Sequence, residues 1–244
     1  MKPFLFDADA LSVRATKQRE AYAHASPFPH AVLDDFLPEE VAQFVLEQFP
    51  EPSSPIWLDH LSRLPEHQPM KQGIGEISRM RNLYPRVQLI LQAFNSFPVI
   101  QFLEQLTGIE GLVPDPYFRG GGLHQILPGG RLSIHSDFNF HPKLKLYRRL
   151  NLLLYLNRNW LPEYNGSLEL WNGDMTACAV SIAPIFNRCV IFNTDRMSFH
   201  GHPMPLKAPE GVTRKSLALY YYSAAPQVGE DEKRPVLWQT PVAD

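Results

Sequence analysis

From residue 115 to residue 223 the chain alternates short apolar segments with turns rich in Gly, Pro and Asn. The chain also has 23 prolines, which are excluded from helix interiors and central strands, so its elements must be short. About eight strands at a spacing of roughly 8–15 residues are typical of a sandwich, barrel or jelly roll. The predicted strands are 123–127, 131–137, 150–156, 167–171, 176–182, 188–193, 198–200 and 216–222.

Three amphipathic helices are predicted ahead of these strands. Each has apolar residues at helical spacing, and the third ends at Gly108. Their apolar stripes are Val41, Phe44, Val45 and Phe49, then Val87, Ile90, Leu91 and Phe94, then Val99, Phe102, Leu103 and Leu106. Residues 1–25 are expected to be irregular or loosely helical. The predicted fold class is therefore α+β, mainly β, with helices that brace one face of the larger sheet.

The chain is expected to form a single domain over residues 1–244, because this length can bury one large core. Residues 1–110 would provide helical support, 115–223 the catalytic β core, and 224–244 a loosely attached tail anchored by Trp238. Residues 50–82 are polar, rich in proline and without periodicity. A loop of this length is usually a lid, a binding loop or disordered, and a lid and a plain insertion are both open interpretations.

Composition excludes several classes of function. A net charge of −2 gives no electrostatic footprint for nucleic acid. No segment approaches the roughly 18 apolar residues of a membrane span, and Asp7 comes too early for a signal peptide. Two cysteines, Cys178 and Cys189, cannot form a disulfide framework, so buried free thiols are expected. We therefore expect a cytoplasmic protein with no nucleic-acid or membrane partner; the oligomeric state is not predicted.

The strand at residues 131–137 carries the first candidate site. Leu132 and Ile134 alternate with polar residues, which predicts a half-buried strand. Since every second side chain of a strand points to the same face, His135 and Asp137 lie side by side with about 6–7 Å between their Cα atoms. They could bind one metal ion, and with a third ligand they would form a 2-His-1-carboxylate facial triad.

Three histidines after Asp137 are candidates for the third ligand. His141 is only six residues from His135, on a loop, and cannot easily return to the same ion. His200 and His202 follow the strongly strand-like segment 189–193. In a closed double sheet a strand more than 60 residues downstream can lie opposite the first, so either of these two histidines could complete the triad.

The last predicted strand begins with a possible carboxylate-binding pair. Arg214 and Ser216 share a face of this strand, and an unpaired Arg inside a barrel would be costly. The planar guanidinium matches a carboxylate bidentately. The partner of Arg214 is therefore either an acidic residue of the protein or the carboxylate of a ligand.

The order His135-x-Asp137, His200, Arg214-x-Ser216 resembles the iron(II)/2-oxoglutarate-dependent dioxygenases, and more narrowly their prolyl-4-hydroxylase-like branch. The resemblance covers residues 27–36 and 123–222, including Tyr155-Leu156-Asn157-Arg158-Asn159-Trp160 followed by Asn165-Gly166-Ser167-Leu168-Glu169-Leu170-Trp171. It implies a double-stranded β-helix, which is a form of jelly roll.

The resemblance also implies roles for individual residues. His135, Asp137 and His200 would bind the iron, with His200 preferred to His202 because it follows an aromatic residue, Phe199. Arg214 would pair with the C5 carboxylate of 2-oxoglutarate, assisted by Tyr155 and Ser216. The interval from His200 to Arg214 is longer than is usual in the family, and the extra length lies in the loop 204–211.

The implied cofactor is Fe(II), and the implied co-substrates are 2-oxoglutarate and O2. The implied reaction hydroxylates an unactivated C–H bond and releases succinate and CO2. Related halogenases have a small residue at the position of Asp137, so its carboxylate indicates hydroxylation.

The substrate is not predicted beyond a peptide, an amino acid or a small metabolite. Lys143, Lys145, Arg148 and Arg149 could contact an acidic substrate or form a solvated loop. Two other functions remain open, a non-catalytic ligand-binding or sensor jelly roll and a zinc hydrolase. The zinc hydrolase would leave Arg214 and Tyr155 without a role.

Overall fold

A computed structural model describes residues 5–59, 66–75, 77–227, 229 and 232–239. Within these residues the helices are α1 (Ala8–Ala23), α2 (Glu39–Glu47), α3 (Ile77–Met80), α4 (Pro85–Ala93) and α5 (Phe97–Thr107). The strands are β1 (His30–Leu33), β2 (Leu58–Asp59), β3 (Lys71–Ile74), β4 (Val113–Pro114), β5 (Gly122–Ile126), β6 (Leu132–Ser136), β7 (Phe140–His141), β8 (Leu146–Tyr155), β9 (Leu168–Trp171), β10 (Cys178–Ile182), β11 (Cys189–Asn193), β12 (His200–His202), β13 (Arg214–Ser223) and β14 (Leu237–Trp238).

The strands form two antiparallel sheets. The larger sheet has the order β1-β11-β8-β13-β5-β3-β2, with β4 beside β13 and β7 beside β8. The smaller sheet has the order β10-β9-β12-β6-β14. Tyr155 and Phe192 of the larger sheet pack against Leu168 and Leu170 of the smaller one, so the two sheets face each other. This arrangement confirms the predicted jelly roll.

The other face of the larger sheet is covered by helices. Leu150, Leu152 and Leu154 of β8 are completely buried in a core that they share with apolar residues of α1, α2, α4 and α5. Because both faces of β8 are buried, its sequence is almost continuously apolar from residue 150 onward. The predicted bracing role of the N-terminal helices is therefore confirmed.

Residues 5–25 are more regular than the sequence indicated. Helix α1 occupies residues 8–23 and begins at Asp7, whose carboxylate accepts hydrogen bonds from the amides of Asp9 and Ala10. The helix has almost no amphipathic stripe, because its buried contacts come from a few widely spaced residues such as Ala15 and Tyr22. The phenol of Tyr22 donates to Asn193 at 2.6 Å and ties the helix to β11.

The prediction of one long loop over residues 50–82 is wrong for three short segments of it, β2, β3 and α3. Strand β3 pairs with β5 and extends the larger sheet, with Lys71 opposite Ile126, and α3 follows it. The sequence Lys-Gln-Gly-Ile lacks an alternating apolar pattern, because half of this strand faces a polar pocket. Residues 60–65 and 76 lie outside the described residues, so a lid over the site stays a prediction.

Two strand boundaries also differ from the predicted ones. Strand β12 begins at His200, since Ser198 and Phe199 belong to a turn in which the Ser198 hydroxyl accepts from the Asp195 amide. Strand β8 begins at Leu146, four residues before the apolar segment, because Tyr147 and Arg148 still pair with Ser223 and Tyr222 of β13. In the tail, Trp238 of β14 lies opposite His135 of β6.

Candidate metal centre

Three metal-binding side chains meet between neighbouring strands of the smaller sheet. His135 lies near the end of β6 and is directly opposite His200 of β12, and Asp137 follows β6 by one residue. The potential ligand atoms of these three residues lie within 4.8 Å of one another. The Nε2 atom of His135 is 3.7 Å from Asp137 Oδ1, and the Nε2 atom of His200 is 3.5 Å from Asp137 Oδ2.

Backbone carbonyls orient both imidazoles toward this centre. The Nδ1 atom of His135 is 2.9 Å from the carbonyl of Ser133, and that of His200 is 2.9 Å from the carbonyl of Ser198. If each Nδ1 carries the proton and donates it to the carbonyl, each Nε2 is left with its lone pair facing Asp137. Burial, and then the charge of His135, lowers the pKa of His200 to about 4, so its ring is neutral near pH 7.

The Asp137 carboxylate is held in place by two residues of β8. Its Oδ2 accepts from the amide of Asn151 at 2.8 Å and pairs with the Arg148 guanidinium at 3.0 Å. Burial raises the pKa of this carboxyl, but its surroundings, first of all the charge of Arg148, hold the pKa well below its usual range. Two imidazole nitrogens and an ionised carboxylate are the donor set of a non-haem iron(II) site, so the three residues fit that metal.

Arg148 was placed by sequence in a basic cluster that could be a solvated loop, and this interpretation is wrong for Arg148. It is 2 % exposed, it bonds to Asn151, and its Cζ atom lies 3.5 Å from the centre of the Tyr220 ring. The cluster was misread because β8 begins before the apolar segment, so that Arg148 belongs to a strand.

The other two histidines do not join the group of three. His141 is buried, and its Nε2 atom is 3.5 Å from the carboxylate of Asp115. His202 lines the same pocket as the three residues but is not a member of the cluster. Of the two histidines that the sequence left open, the structure therefore brings His200 to His135 and Asp137.

The second half of the pocket is formed by the larger sheet. The Arg214 guanidinium donates to the carbonyl of Gly166 at 2.6 Å and to the phenol of Tyr155 at 3.1 Å. Ser216 lies opposite Tyr155 in the register of β13 and β8, and it lines the same pocket. Within the described part of the chain Arg214 has no acidic partner, which favours the carboxylate of a ligand over an acidic residue.

Several pocket residues were not identified from sequence. Lys71 of β3 and His124 of β5 line the pocket from the larger sheet. Trp238 packs on the metal cluster from outside, with its ring centre 4.8 Å from that of His135. Lys71 could have been found only by predicting β3, and nothing in the sequence places Trp238 beside His135.

Comparison with protein families gives one match. Residues 121–222 match the family described as the 2OG-Fe(II) oxygenase superfamily. No curated protein sequence matches the chain. Within the described residues no helix has both the length and the apolar character that a membrane span requires.

Solved structures with a similar fold share little sequence with this chain. A Trichoplax adhaerens prolyl hydroxylase in complex with a hypoxia inducible factor peptide fragment has 18% identity and a TM-score of 0.58, with 88% of this chain and 90% of that chain covered. A Pseudomonas putida prolyl-4-hydroxylase has 17% identity and a TM-score of 0.55, with 86% of this chain and 98% of that chain covered. HygX from Streptomyces hygroscopicus, with nickel and 2-oxoglutarate bound, has 11% identity and a TM-score of 0.56, with 91% of this chain and 96% of that chain covered.

Proposed function

We propose that this chain, a member of the 2OG-Fe(II) oxygenase superfamily, holds its iron(II) between His135, Asp137 and His200 and hydroxylates an unactivated C–H bond. The same proposal assigns the C5 carboxylate of 2-oxoglutarate to Arg214, with Tyr155 and Ser216 beside it. The observation that carries the proposal is that these two groups line one pocket.

The residues of the pocket have separable roles in this reaction. Iron(II), together with 2-oxoglutarate and O2, supplies the oxidation that converts C–H to C–OH with release of succinate and CO2. Arg214 and Tyr155 orient 2-oxoglutarate through one carboxylate. Arg148 and Asn151 keep the carboxylate of Asp137 ionised and fixed. Leu153 and Leu168 form apolar walls that limit the access of water.

For the substrate we propose a peptide or a small molecule. The Trichoplax adhaerens enzyme binds a peptide fragment, and HygX has been solved with hygromycin B bound, at a TM-score of 0.53. A pocket between two sheets with a polar floor and apolar walls fits either class. Incubation with iron(II), 2-oxoglutarate and a cell extract, followed by a search for products heavier by one oxygen atom, would identify the substrate.

The test of the proposed function is the formation of succinate from 2-oxoglutarate. We expect iron(II)-dependent succinate in the native protein and its loss in His135→Ala, because one of the three ligands is removed. The matched control, His24→Ala, changes an exposed histidine outside the pocket and should keep full activity. Full turnover in His135→Ala would contradict the assignment. No succinate from a metal-loaded native protein would instead favour a non-catalytic sensor, and hydrolysis dependent on zinc would favour a zinc hydrolase.

A further inference from the structure

Lys71 presents a cation to the same pocket, from the same sheet as Arg214. The register places Lys71 of β3 opposite Ile126 of β5, and Ile126 opposite Arg214 of β13. Residues opposite each other in adjacent antiparallel strands point to the same face of a sheet. Lys71, Ile126 and Arg214 therefore face the pocket in one row, and all three line it.

The ammonium of Lys71 has no partner within the described part of the chain, where it makes no hydrogen bond and no salt bridge. Burial, together with the charges of Arg214 and Arg148, lowers the pKa of Lys71 to about 8, although the charge of Asp137 acts to raise it. Lys71 is partly exposed, and a partly buried cation without a salt bridge is more favourable when a ligand supplies the anion.

His202 lies in the same pocket and also lacks a partner. It is 2 % exposed, and neither of its ring nitrogens has a hydrogen-bond partner among the described residues. Its electrostatic interactions are with Arg214, Lys71 and His135, so its ring lies among the cations of the pocket. A buried imidazole with two unused nitrogens is uncommon, since buried polar groups are normally paired.

The charges of the pocket leave a positive surplus after iron(II) and 2-oxoglutarate are counted. Among the described residues that line the pocket or pair with the Asp137 carboxylate, Lys71, Arg148 and Arg214 are cations and Asp137 is the one acid. The protein thus contributes a net charge of about plus two, to which iron(II) adds two and the 2-oxoglutarate dianion removes two. The surplus of about two positive charges favours a further anionic group.

We propose that Lys71 and His202 form a second carboxylate-binding subsite, which takes a carboxylate of the primary substrate while Arg214 holds 2-oxoglutarate. The inference rests on the proposed function, because it assigns the Arg214 end to the co-substrate. It narrows the substrate to molecules that carry a carboxylate near the C–H bond that is hydroxylated.

Calorimetric titration with acetate, and with acetamide as its neutral analogue, tests this subsite. In native protein that is loaded with Mn(II) and saturated with 2-oxoglutarate, acetate should bind and acetamide should not. Lys71→Met and His202→Leu should weaken acetate binding about tenfold or more, because each removes a donor to the anion. Lys71→Arg should largely restore binding, and the control Lys207→Met, at an exposed lysine outside the pocket, should bind as the native protein does.

Two results would overturn the subsite. One is that Lys71→Met does not weaken acetate binding, either because its affinity equals that of the native protein or because the native protein binds no acetate. The other is a tenfold loss of 2-oxoglutarate affinity in Lys71→Met while acetate fails to bind, which would assign Lys71 to the co-substrate. If Lys71→Met does not fold, His202→Leu and Lys71→Arg still decide the question.

The same titration without metal and co-substrate separates this inference from the proposed function. Acetate binding that is lost in Lys71→Met, in a protein that forms no succinate when metal and co-substrate are supplied, would contradict the proposed function and support the anion subsite. Succinate formation, together with acetate binding that is the same in Lys71→Met as in the native protein, would support the proposed function and contradict the anion subsite.

Discussion

At the residue scale, the carboxylate of Asp137 depends on a side chain that lies 11 positions later in the sequence. Arg148 neutralises Asp137 at 3.0 Å and is itself held between Asn151 and the Tyr220 ring. Groups that orient a metal ligand in this way typically contribute 10–100-fold to metal affinity. Arg148 is therefore a positioning residue of the proposed iron site.

Replacement of Arg148 should weaken the metal site without removing a ligand. We expect Arg148→Met to lower Fe(II) affinity about 10–100-fold, because Asp137 loses its fixed counter-ion. Anaerobic Fe(II) titration measures this change. The control is Arg158→Met, which breaks an exposed ion pair with Glu39 and should leave the affinity unchanged. Equal Fe(II) affinity in Arg148→Met and the native protein would show that Asp137 needs no such support.

Arg214 should affect the co-substrate rather than the metal. Arg214→Met removes the charge-assisted bonds to one carboxylate of 2-oxoglutarate, worth about 1.5–3 kcal/mol. We expect the KM for 2-oxoglutarate to rise about 10–100-fold while the affinity for Fe(II) stays near that of the native protein. The exposed Arg196 lies outside the pocket and provides the matched control, Arg196→Met. An unchanged KM in Arg214→Met would mean that 2-oxoglutarate binds elsewhere.

At the element scale, the position of Lys71 depends on how closely β3 approaches β5. A Cβ atom at Gly122 would lie 2.0 Å from the carbonyl oxygen of Ile74, and the φ angle of Gly122 is +88°. Only glycine allows this backbone angle and this contact together. The close approach brings β3, and with it Lys71, to the edge of the pocket.

Two glycine substitutions separate the effect of contact from that of backbone angle. Gly129 has a similar φ of +80° but no atom within 4 Å of an added Cβ. Gly129→Ala should therefore cost about 1–2 kcal/mol of unfolding free energy, through backbone strain alone. Gly122→Ala should cost about 3 kcal/mol or more, since β3 must also move. Urea unfolding measures both, and equal costs would argue against the packing of β3 on β5.

Elements with a strong apolar pattern were predictable from the sequence, and elements without one were not. The location and type of α2, α4, α5 and the central part of β8 were predictable. Their apolar residues pack on the core, and this packing imposes the helical or strand pattern that the sequence shows. Helix α1 and strand β3 were missed, since each buries few apolar residues. The early start of β8 was missed for the same reason, and with it the place of Arg148.

At the scale of the whole molecule, the two sheets supply different groups of side chains to the pocket. The smaller sheet supplies the His135, Asp137 and His200 cluster, and the larger sheet supplies Arg214 and Tyr155. Helices cover the opposite face of the larger sheet, so one of its faces belongs to the core and the other to the pocket. In the proposed function, metal and co-substrate would therefore be held by different sheets.

Part of the candidate site was predictable from the sequence. The period of a strand was enough to pair His135 with Asp137, and Arg214 with Ser216. Periodicity could not decide between His200 and His202, because both belong to β12 and the register that puts His200 opposite His135 is a property of the whole fold. Lys71 reaches the pocket, and Trp238 reaches His135, through long-range strand pairings that leave no local signal in the sequence.

A crystal structure of the protein loaded anaerobically with Fe(II) and 2-oxoglutarate, with anomalous scattering recorded at the iron edge, tests the central claim most directly. We predict one anomalous peak bound by the Nε2 atoms of His135 and His200 and by a carboxylate oxygen of Asp137. The C5 carboxylate of 2-oxoglutarate should contact Arg214 and Tyr155. Iron bound at His202 or His141, or 2-oxoglutarate away from Arg214, would contradict the account.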